Sequence, residues 1–155
     1  MKHFAILVVL GSLLTLAAPA WTQQQATPAE AKQMAQDAIA HVKEVGTQQA
    51  FADFTAPGGQ FHKKDLYVFC YKFDGTCVAQ GANKATIGMN LIDMKTADGK
   101  YFLREMISVT QSKGAGWVDY MWPNPLTKKT AAKRSWVERI PGYDGFCGVG
   151  AYAKE

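Results

Sequence analysis

The sequence lacks the motifs that mark the common enzyme classes. It contains no serine nucleophile elbow, no P-loop and no dinucleotide-binding glycine pattern. Gly148 and Gly150 are spaced like the first two glycines of a dinucleotide-binding pattern, but we expect them to relieve crowding within a strand. His41 and His62 have no partner at metal-ligand spacing, and no paired carboxylates suggest a general acid and base. We therefore expect no catalytic residues, no metal and no cofactor.

A dense basic stripe is also missing. The net charge is +4, and the basic residues are scattered except at Lys128-Lys129 and Lys133-Arg134. Nucleic-acid-binding proteins usually concentrate such charge on one face. We expect no nucleic acid partner, and the mild positive charge favours a small anionic ligand.

Cysteine is scarce, with three residues and no CxxC pair. Cys70 and Cys77 lie on the two arms of a predicted hairpin, and Cys147 lies near the end of the chain. An oxidising compartment permits one disulfide and leaves an odd thiol. We expect a bridge from Cys147 to Cys70 or to Cys77; the alternative is three buried thiols that act as small hydrophobes.

The sequence has one long apolar run, at its start. Lys2 precedes residues 4–18, which are almost wholly apolar, and Ala18-Pro19-Ala20 supplies small residues for a signal peptidase. We predict a signal peptide over residues 1–20, cleaved near Ala20, and a periplasmic or secreted protein; the alternative is an uncleaved anchor. A loose segment, 21–27, then leads into one domain, 28–155.

Two helices are predicted at the start of this domain. Thr27 can cap a helix that begins at Pro28, and Glu30 completes a capping box. Apolar residues then recur at helical spacing up to a break at Gly46. A second, short helix is predicted over residues 47–54.

The rest of the chain alternates between strand and helix patterns. Residues 66–73 and 76–79 favour two strands, and Asp74-Gly75 between them is typical of a hairpin turn. The first strand is apolar on both faces, so we expect it to be central and covered on both sides. The remaining predicted elements are a short helical turn around Leu91–Met94, a helix over 100–111, and strands over 117–122, 133–140 and 146–152. This order predicts an α+β domain with a five-stranded antiparallel sheet.

Several segments, in this order and at these separations, resemble the single Cache domain family, the PAS-like extracellular sensors of bacteria. The segments are Asp65-Leu66-Tyr67-Val68-Phe69, Asp74-Gly75, Gly88-Met89-Asn90-Leu91, Asp98-Gly99-Lys100-Tyr101-Phe102, Gly116-Trp117-Val118-Asp119-Tyr120-Met121-Trp122-Pro123, Lys133-Arg134-Ser135-Trp136-Val137 and Gly148-Val149-Gly150-Ala151-Tyr152.

The resemblance implies a long N-terminal helix, a PAS-like five-stranded sheet with a further helix packed on it, and a pocket on one face. It also implies a small metabolite as ligand, often an organic acid, and a signal passed to a histidine kinase or chemoreceptor. The chain shows no second apolar span and no output module, so we expect a free-standing binding protein that serves a signalling partner. The family's tyrosine position in the fourth strand holds Trp136 here, which implies a different ligand preference.

Aromatic and basic residues are the candidate ligand contacts. Trp117, Tyr120 and Trp122 combine apolar bodies with polar tips, as pocket walls often do; ordinary core packing is the alternative. Alternation places Tyr120 and Trp122 on one strand face and Trp117 on the other. Lys133 and Arg104 can each pair with a carboxylate, and Lys133 matches a lysine of the family.

The leading hypothesis is therefore a module that binds a small molecule, and a monocarboxylate of two to four carbons is the expected ligand. The second is an interaction protein that docks on a membrane sensor without a small ligand. The third is an enzyme with Cys147 or Cys77 as nucleophile, although no base for it is identifiable.

Overall fold

The computed structural model describes residues 25–153, which form three helices and one antiparallel sheet. The predicted signal peptide lies outside the described residues. The helices are α1 (Pro28–Val45), α2 (Thr47–Thr55) and α3 (Phe102–Lys113). The strands are β1 (His62–Lys63), β2 (Leu66–Lys72), β3 (Cys77–Gln80), β4 (Ala115–Pro123), β5 (Thr130–Arg139) and β6 (Gly145–Tyr152). The predicted α+β class is confirmed.

The predicted capping box begins α1. The Thr27 hydroxyl accepts a hydrogen bond from the Glu30 amide at 3.2 Å, and the Thr27 amide donates to Glu30 Oε2 at 2.8 Å. Gly46, with a φ of 82°, ends the helix and separates it from α2. The buried stripe of α1 is made of small and aliphatic residues, which lets the helix lie across β6, β5 and β2.

The sheet follows the order β4-β5-β6-β2, and both β3 and β1 pair with β2 beyond it. β2 is buried on both faces from Leu66 to Tyr71, as its apolar pattern predicted, although β6 is the strand nearest the centre. The Asp74-Gly75 hairpin joins β2 to β3, with Gly75 at a φ of 94°. β1 is an additional strand that the sequence pattern did not predict, because two residues are too few to show alternation.

The helical turn predicted around Leu91–Met94 is wrong. That segment forms a tight turn, with the Met94 amide donating to the Leu91 carbonyl, and the Leu91 amide donates to the Gly75 carbonyl. The bond to Gly75 holds the start of this segment against the hairpin. A single 3-10 turn occurs earlier, at Lys84–Thr86, where the Asn83 side chain caps the Ala85 amide.

The sheet separates two cores of different composition. On the α1 face, small and aliphatic side chains from β2 and β6 pack beneath the helix. Cys70 and Cys147 lie directly opposite each other on this face, with Cα atoms 4.1 Å apart, and form a disulfide. Cys77 pairs in register with Tyr71, on the other face, so it remains a buried free thiol.

The other face, which α3 covers, is lined mainly by aromatic residues. Among residues 25–153, no helix combines the length and the apolar character that crossing a membrane requires.

Candidate ligand-binding site

The α3 face of the sheet gathers aromatic side chains from several strands. Alternation brings Tyr67, Phe69 and Tyr71 of β2 to this face, together with Tyr120 and Trp122 of β4. Phe102, at the start of α3, stacks on Tyr120 with ring centroids 5.2 Å apart and contacts Trp122 at 4.9 Å. Aromatic rings therefore cover this face of the sheet, and the hydroxyl groups of the tyrosines and the indole of Trp122 lie among them.

Lys133 lies in the middle of these rings with 2% of its surface exposed. Its Nζ donates a hydrogen bond to the Tyr67 hydroxyl at 2.8 Å. The ammonium group also lies 4.0 Å from the Tyr67 ring centroid and 5.0 Å from that of Tyr152, distances at which a cation is attracted to a ring face. Over the described residues, none of the ion pairs involves Lys133.

Burial lowers the pKa of Lys133 from its ordinary 10.5 to about 7, because the charged form loses its water shell. The negative charge of Asp65 acts in the opposite direction and raises this pKa. Asp65 is itself buried; its Oδ1 accepts a hydrogen bond from the Ala26 amide, and its Oδ2 has no partner among residues 25–153. The site therefore contains a cation whose charge the surrounding protein compensates only in part.

Gly150 makes room for the lysine. A Cβ at this position would lie 2.4 Å from Lys133 Cε and 2.1 Å from the Ser135 hydroxyl. Any larger residue would displace both side chains, so glycine allows Lys133 to cross β6 and reach Tyr67. The sequence pattern predicted that Gly150 relieves crowding within its strand. The side chains that crowd this position are Lys133 and Ser135, which belong to the site.

Further hydroxyl groups lie on residues beside Lys133 in the sheet. The Tyr120 and Ser135 hydroxyls lie 3.0 Å apart, and the Tyr152 hydroxyl donates to the Pro123 carbonyl at 2.8 Å. Burial raises the pKa of Tyr67, of Tyr120 and of Tyr152, so these phenols stay protonated at neutral pH. Because the Tyr152 hydrogen is already used, Tyr67 and Tyr120 are the phenols that can donate to an anion.

Three cavities border this cluster. One, of about 440 Å³, is lined by Tyr120, Lys133 and Tyr152 together with outer residues such as Asp119 and Arg134. We call the second, of about 390 Å³, the outer chamber; its lining includes Gln80, Leu91, Met94, Trp122 and Pro125. The third, the inner crevice, measures about 10 Å³ and lies against Phe69, Phe102 and Tyr120. The side chains that line both the outer chamber and the inner crevice are Tyr67, Tyr71, Gln80 and Trp122. The inner crevice has room for about one water molecule, whereas the outer chamber is within the range of small-molecule sites.

The structure brings Tyr120, Trp122 and Lys133 together, as the sequence analysis proposed. Trp117 lies on the opposite face of β4, where its ring meets Trp136 at 5.2 Å and the Arg134 guanidinium at 5.1 Å. It therefore makes no part of this cluster. Trp136 is also on that face, so its difference from the family pattern does not change the cluster.

Arg104 does not reach the cluster either. Its guanidinium is exposed, forms an ion pair with Asp93 and lies 4.3 Å from the Tyr101 ring. Arg104 is not among the buried residues of α3, so it stays in solvent.

Four further site residues were not predicted from the sequence: Tyr67, Tyr152, Ser135 and Gln80. Tyr152 pairs in register with Lys133, and Tyr67 lies on the next strand. A prediction of strand order and register would have placed both tyrosines beside the lysine. Alternation along single strands contains no such information.

The fold is that of a PAS-like sensor domain, and the buried cationic cluster is its candidate ligand site. The family model for single Cache domain 2 matches residues 11–155, and the chain belongs to this family. Single Cache domains are extracellular or periplasmic sensor domains, and the family is one of ligand-binding rather than catalytic domains.

Curated relatives include two signalling proteins. The sensor histidine kinase MctS of Rhizobium johnstonii is 32% identical over 89 residues, which are 57% of this chain and 19% of the kinase. The methyl-accepting chemotaxis protein McpP of Pseudomonas putida is 24% identical over 91 residues, 59% of this chain and 17% of that protein. The chain thus spans about a fifth of the length of the curated relatives it matches.

Solved structures share the fold. A methyl-accepting chemotaxis protein from Vibrio parahaemolyticus has a TM-score of 0.71 and 22% identity, over 80% of this chain and 86% of that one. A Cache chemosensory domain described for its carboxylic acid recognition has a TM-score of 0.70 and 22% identity, over 81% of this chain and 92% of that one.

Proposed function

We propose that this protein is a periplasmic or secreted sensory domain that binds a small organic acid through Lys133. The observation that carries the proposal is the buried ammonium, which has no ion-pair partner over residues 25–153. A carboxylate supplies the missing charge and accepts hydrogen bonds from Lys133 and from neighbouring phenols.

The cost of burying the cation supports a functional role. A hydrophobic residue of similar length would fill the space between the rings without any loss of hydration, so Lys133 does not serve the fold's stability. A buried group with a shifted pKa in a cavity wall is typical of a binding site. The related fold of a domain described for carboxylic acid recognition supports an acid as the ligand.

The partner and the compartment follow from the relatives and from the first residues. Kinase and chemoreceptor relatives support a histidine kinase or a chemoreceptor as the signalling partner. The signal peptide predicted for residues 1–20 would release a free-standing periplasmic protein with the domain boundary near residue 28. N-terminal sequencing of the protein from the periplasmic fraction tests this: a start near residue 21 supports release, and an intact Met1 contradicts it.

Binding is tested with a thermal-shift screen of acetate, propionate, butyrate, pyruvate, lactate, hexanoate and octanoate, followed by calorimetric titration of the hits. An acid present at a hundred times its dissociation constant stabilises the native protein by about 2.7 kcal/mol. We expect Lys133→Met to weaken binding at least about thirtyfold, because the anion loses a buried charge partner.

The matched control is Lys32→Met, which makes the same substitution on the α1 face, where Lys32 lies over the Trp136 ring. We expect this variant to bind as the wild type does. Equal affinity of wild type and Lys133→Met would contradict the proposal. A screen with no stabilising acid would also contradict it and favour a docking protein.

A further inference from the structure

The outer chamber adds information about the ligand, on the condition that the proposed function holds. We propose that the acid carries an apolar tail of more than four carbons, which lies in the outer chamber while the carboxylate binds at Tyr67 and Lys133. This goes beyond the short acid that the sequence analysis expected.

The Tyr67 hydroxyl connects the cation with the chamber. It accepts the hydrogen bond from Lys133 Nζ, and its side chain lines both the outer chamber and the inner crevice. Its own hydrogen has only a long contact, 3.4 Å, to the Tyr152 hydroxyl. A carboxylate at the chamber side of Tyr67 therefore receives this hydrogen, and the Lys133 charge lies directly behind it.

The inner crevice cannot hold the rest of an acid, since about 10 Å³ admits a single water molecule. Tyr67 does not line the 440 Å³ cavity beside Lys133, so the chain that follows a carboxylate at Tyr67 extends along Trp122 into the outer chamber of about 390 Å³. Trp122 lines both spaces and presents a flat apolar surface between them.

The carboxamide oxygens of the chamber are already engaged in local turns. Gln80 Oε1 accepts from the Ala82 amide, Asn83 Oδ1 from the Ala85 amide, and Asn124 Oδ1 from the Leu126 amide. The lining that remains for a ligand is mainly apolar and includes Leu91, Met94, Trp122, Pro123 and Pro125. Such a lining suits hydrocarbon and offers little to a second charged end.

Lys128 also lines the chamber and adds a second positive charge. It is exposed, with a φ of 60°, so water screens its charge. We assign it to attracting acids toward the chamber rather than to binding the carboxylate, which is held more strongly at the desolvated Lys133.

The test is calorimetric titration with acetate, butyrate, hexanoate and octanoate against the full chain. The variant Ala82→Phe fills the chamber from its lining, and the matched control Ala85→Phe places the same ring on a neighbouring exposed residue outside the lining. In the wild type we expect affinity to rise about tenfold from butyrate to hexanoate, as expected when two methylenes are buried. This gain should vanish in Ala82→Phe and persist in Ala85→Phe.

The outcomes separate this inference from the proposed function. Lys133-dependent binding of acetate with no gain for longer acids overturns the tail proposal and leaves the proposed function intact. If Ala82→Phe keeps the rise in affinity from butyrate to hexanoate, the tail does not bind in the outer chamber and the inference is wrong. The absence of binding by every acid overturns the proposed function and the inference together.

Discussion

The two faces of the sheet differ in what their side chains do. The α1 face is filled by aliphatic residues, a disulfide, the close-packed alanines of α1 and, near α2, the rings of Phe54 and Phe61. The α3 face holds tyrosines, a tryptophan, a buried lysine and two cavities. The first face stabilises the domain, while the second contains a partly compensated charge and empty space, which we propose that a ligand uses.

The largest effect should come from the disulfide on the α1 face. Replacing Cys70 and Cys147 together with alanine should lower the free energy of unfolding by about 2–5 kcal/mol, the range for native disulfides of small secreted domains. Urea unfolding measures this loss. Acid affinity of the folded variant should be unchanged, because neither sulfur lies on the α3 face; a parallel loss of affinity would show that the two faces are not separable.

The free energy of unfolding should depend on pH because of Lys133, which lies on the α3 face. Its folded pKa of about 7 lies below the unfolded value of 10.5, so the unfolded chain binds more protons between these pH values. The free energy of unfolding should therefore rise with pH in this window, by up to about 1.4 kcal/mol per pH unit from this group alone. Below pH 7 both states are charged and the contribution no longer changes.

The comparison between wild type and Lys133→Met isolates this dependence. We expect the difference between their unfolding free energies to change between pH 7 and 10 and to be constant below pH 6. A difference that stays constant over the whole range would mean that the lysine is solvated in the native state.

A pair of tryptophans on one strand gives the sharpest test of the two faces. Trp122→Ala should reduce acid affinity about tenfold or more, as expected for a large aromatic residue in a desolvated contact. Trp117→Ala, five residues earlier on the opposite face, should change affinity less than about twofold. Calorimetric titration measures both; equal losses would place the ligand elsewhere.

The sequence predicted the α1 capping box, the Asp74-Gly75 hairpin and the α+β class because each depends on local chemistry. It failed at β1, whose two residues are too few to show alternation, and at the turn near Leu91, where a hydrogen bond to Gly75 fixes the conformation. Of the site, it identified Tyr120, Trp122 and Lys133 from alternation and family resemblance. Tyr67 and Tyr152 required the register of strands far apart in the sequence, which no local pattern contains.

The smallest effect should follow from Arg104→Ala. Its ion pair with Asp93 is exposed, and pairs of this kind contribute about 0–1 kcal/mol. We expect a loss of unfolding free energy below about 1 kcal/mol and no change in acid affinity. Weaker acid binding in this variant would show that Arg104 contributes to the ligand-binding site.

The measurement that tests the central claim most directly is the titration of Lys133 itself. NMR of protein labelled at lysine Cε, with Lys133→Met to assign the signal, gives its pKa with and without an acid that the screen has identified. We predict a value near 7 in the free protein, and a clear rise when the acid binds, because an adjacent carboxylate stabilises the ammonium. A free-protein value near 10.5, or a value that does not move at saturating acid, would contradict the account.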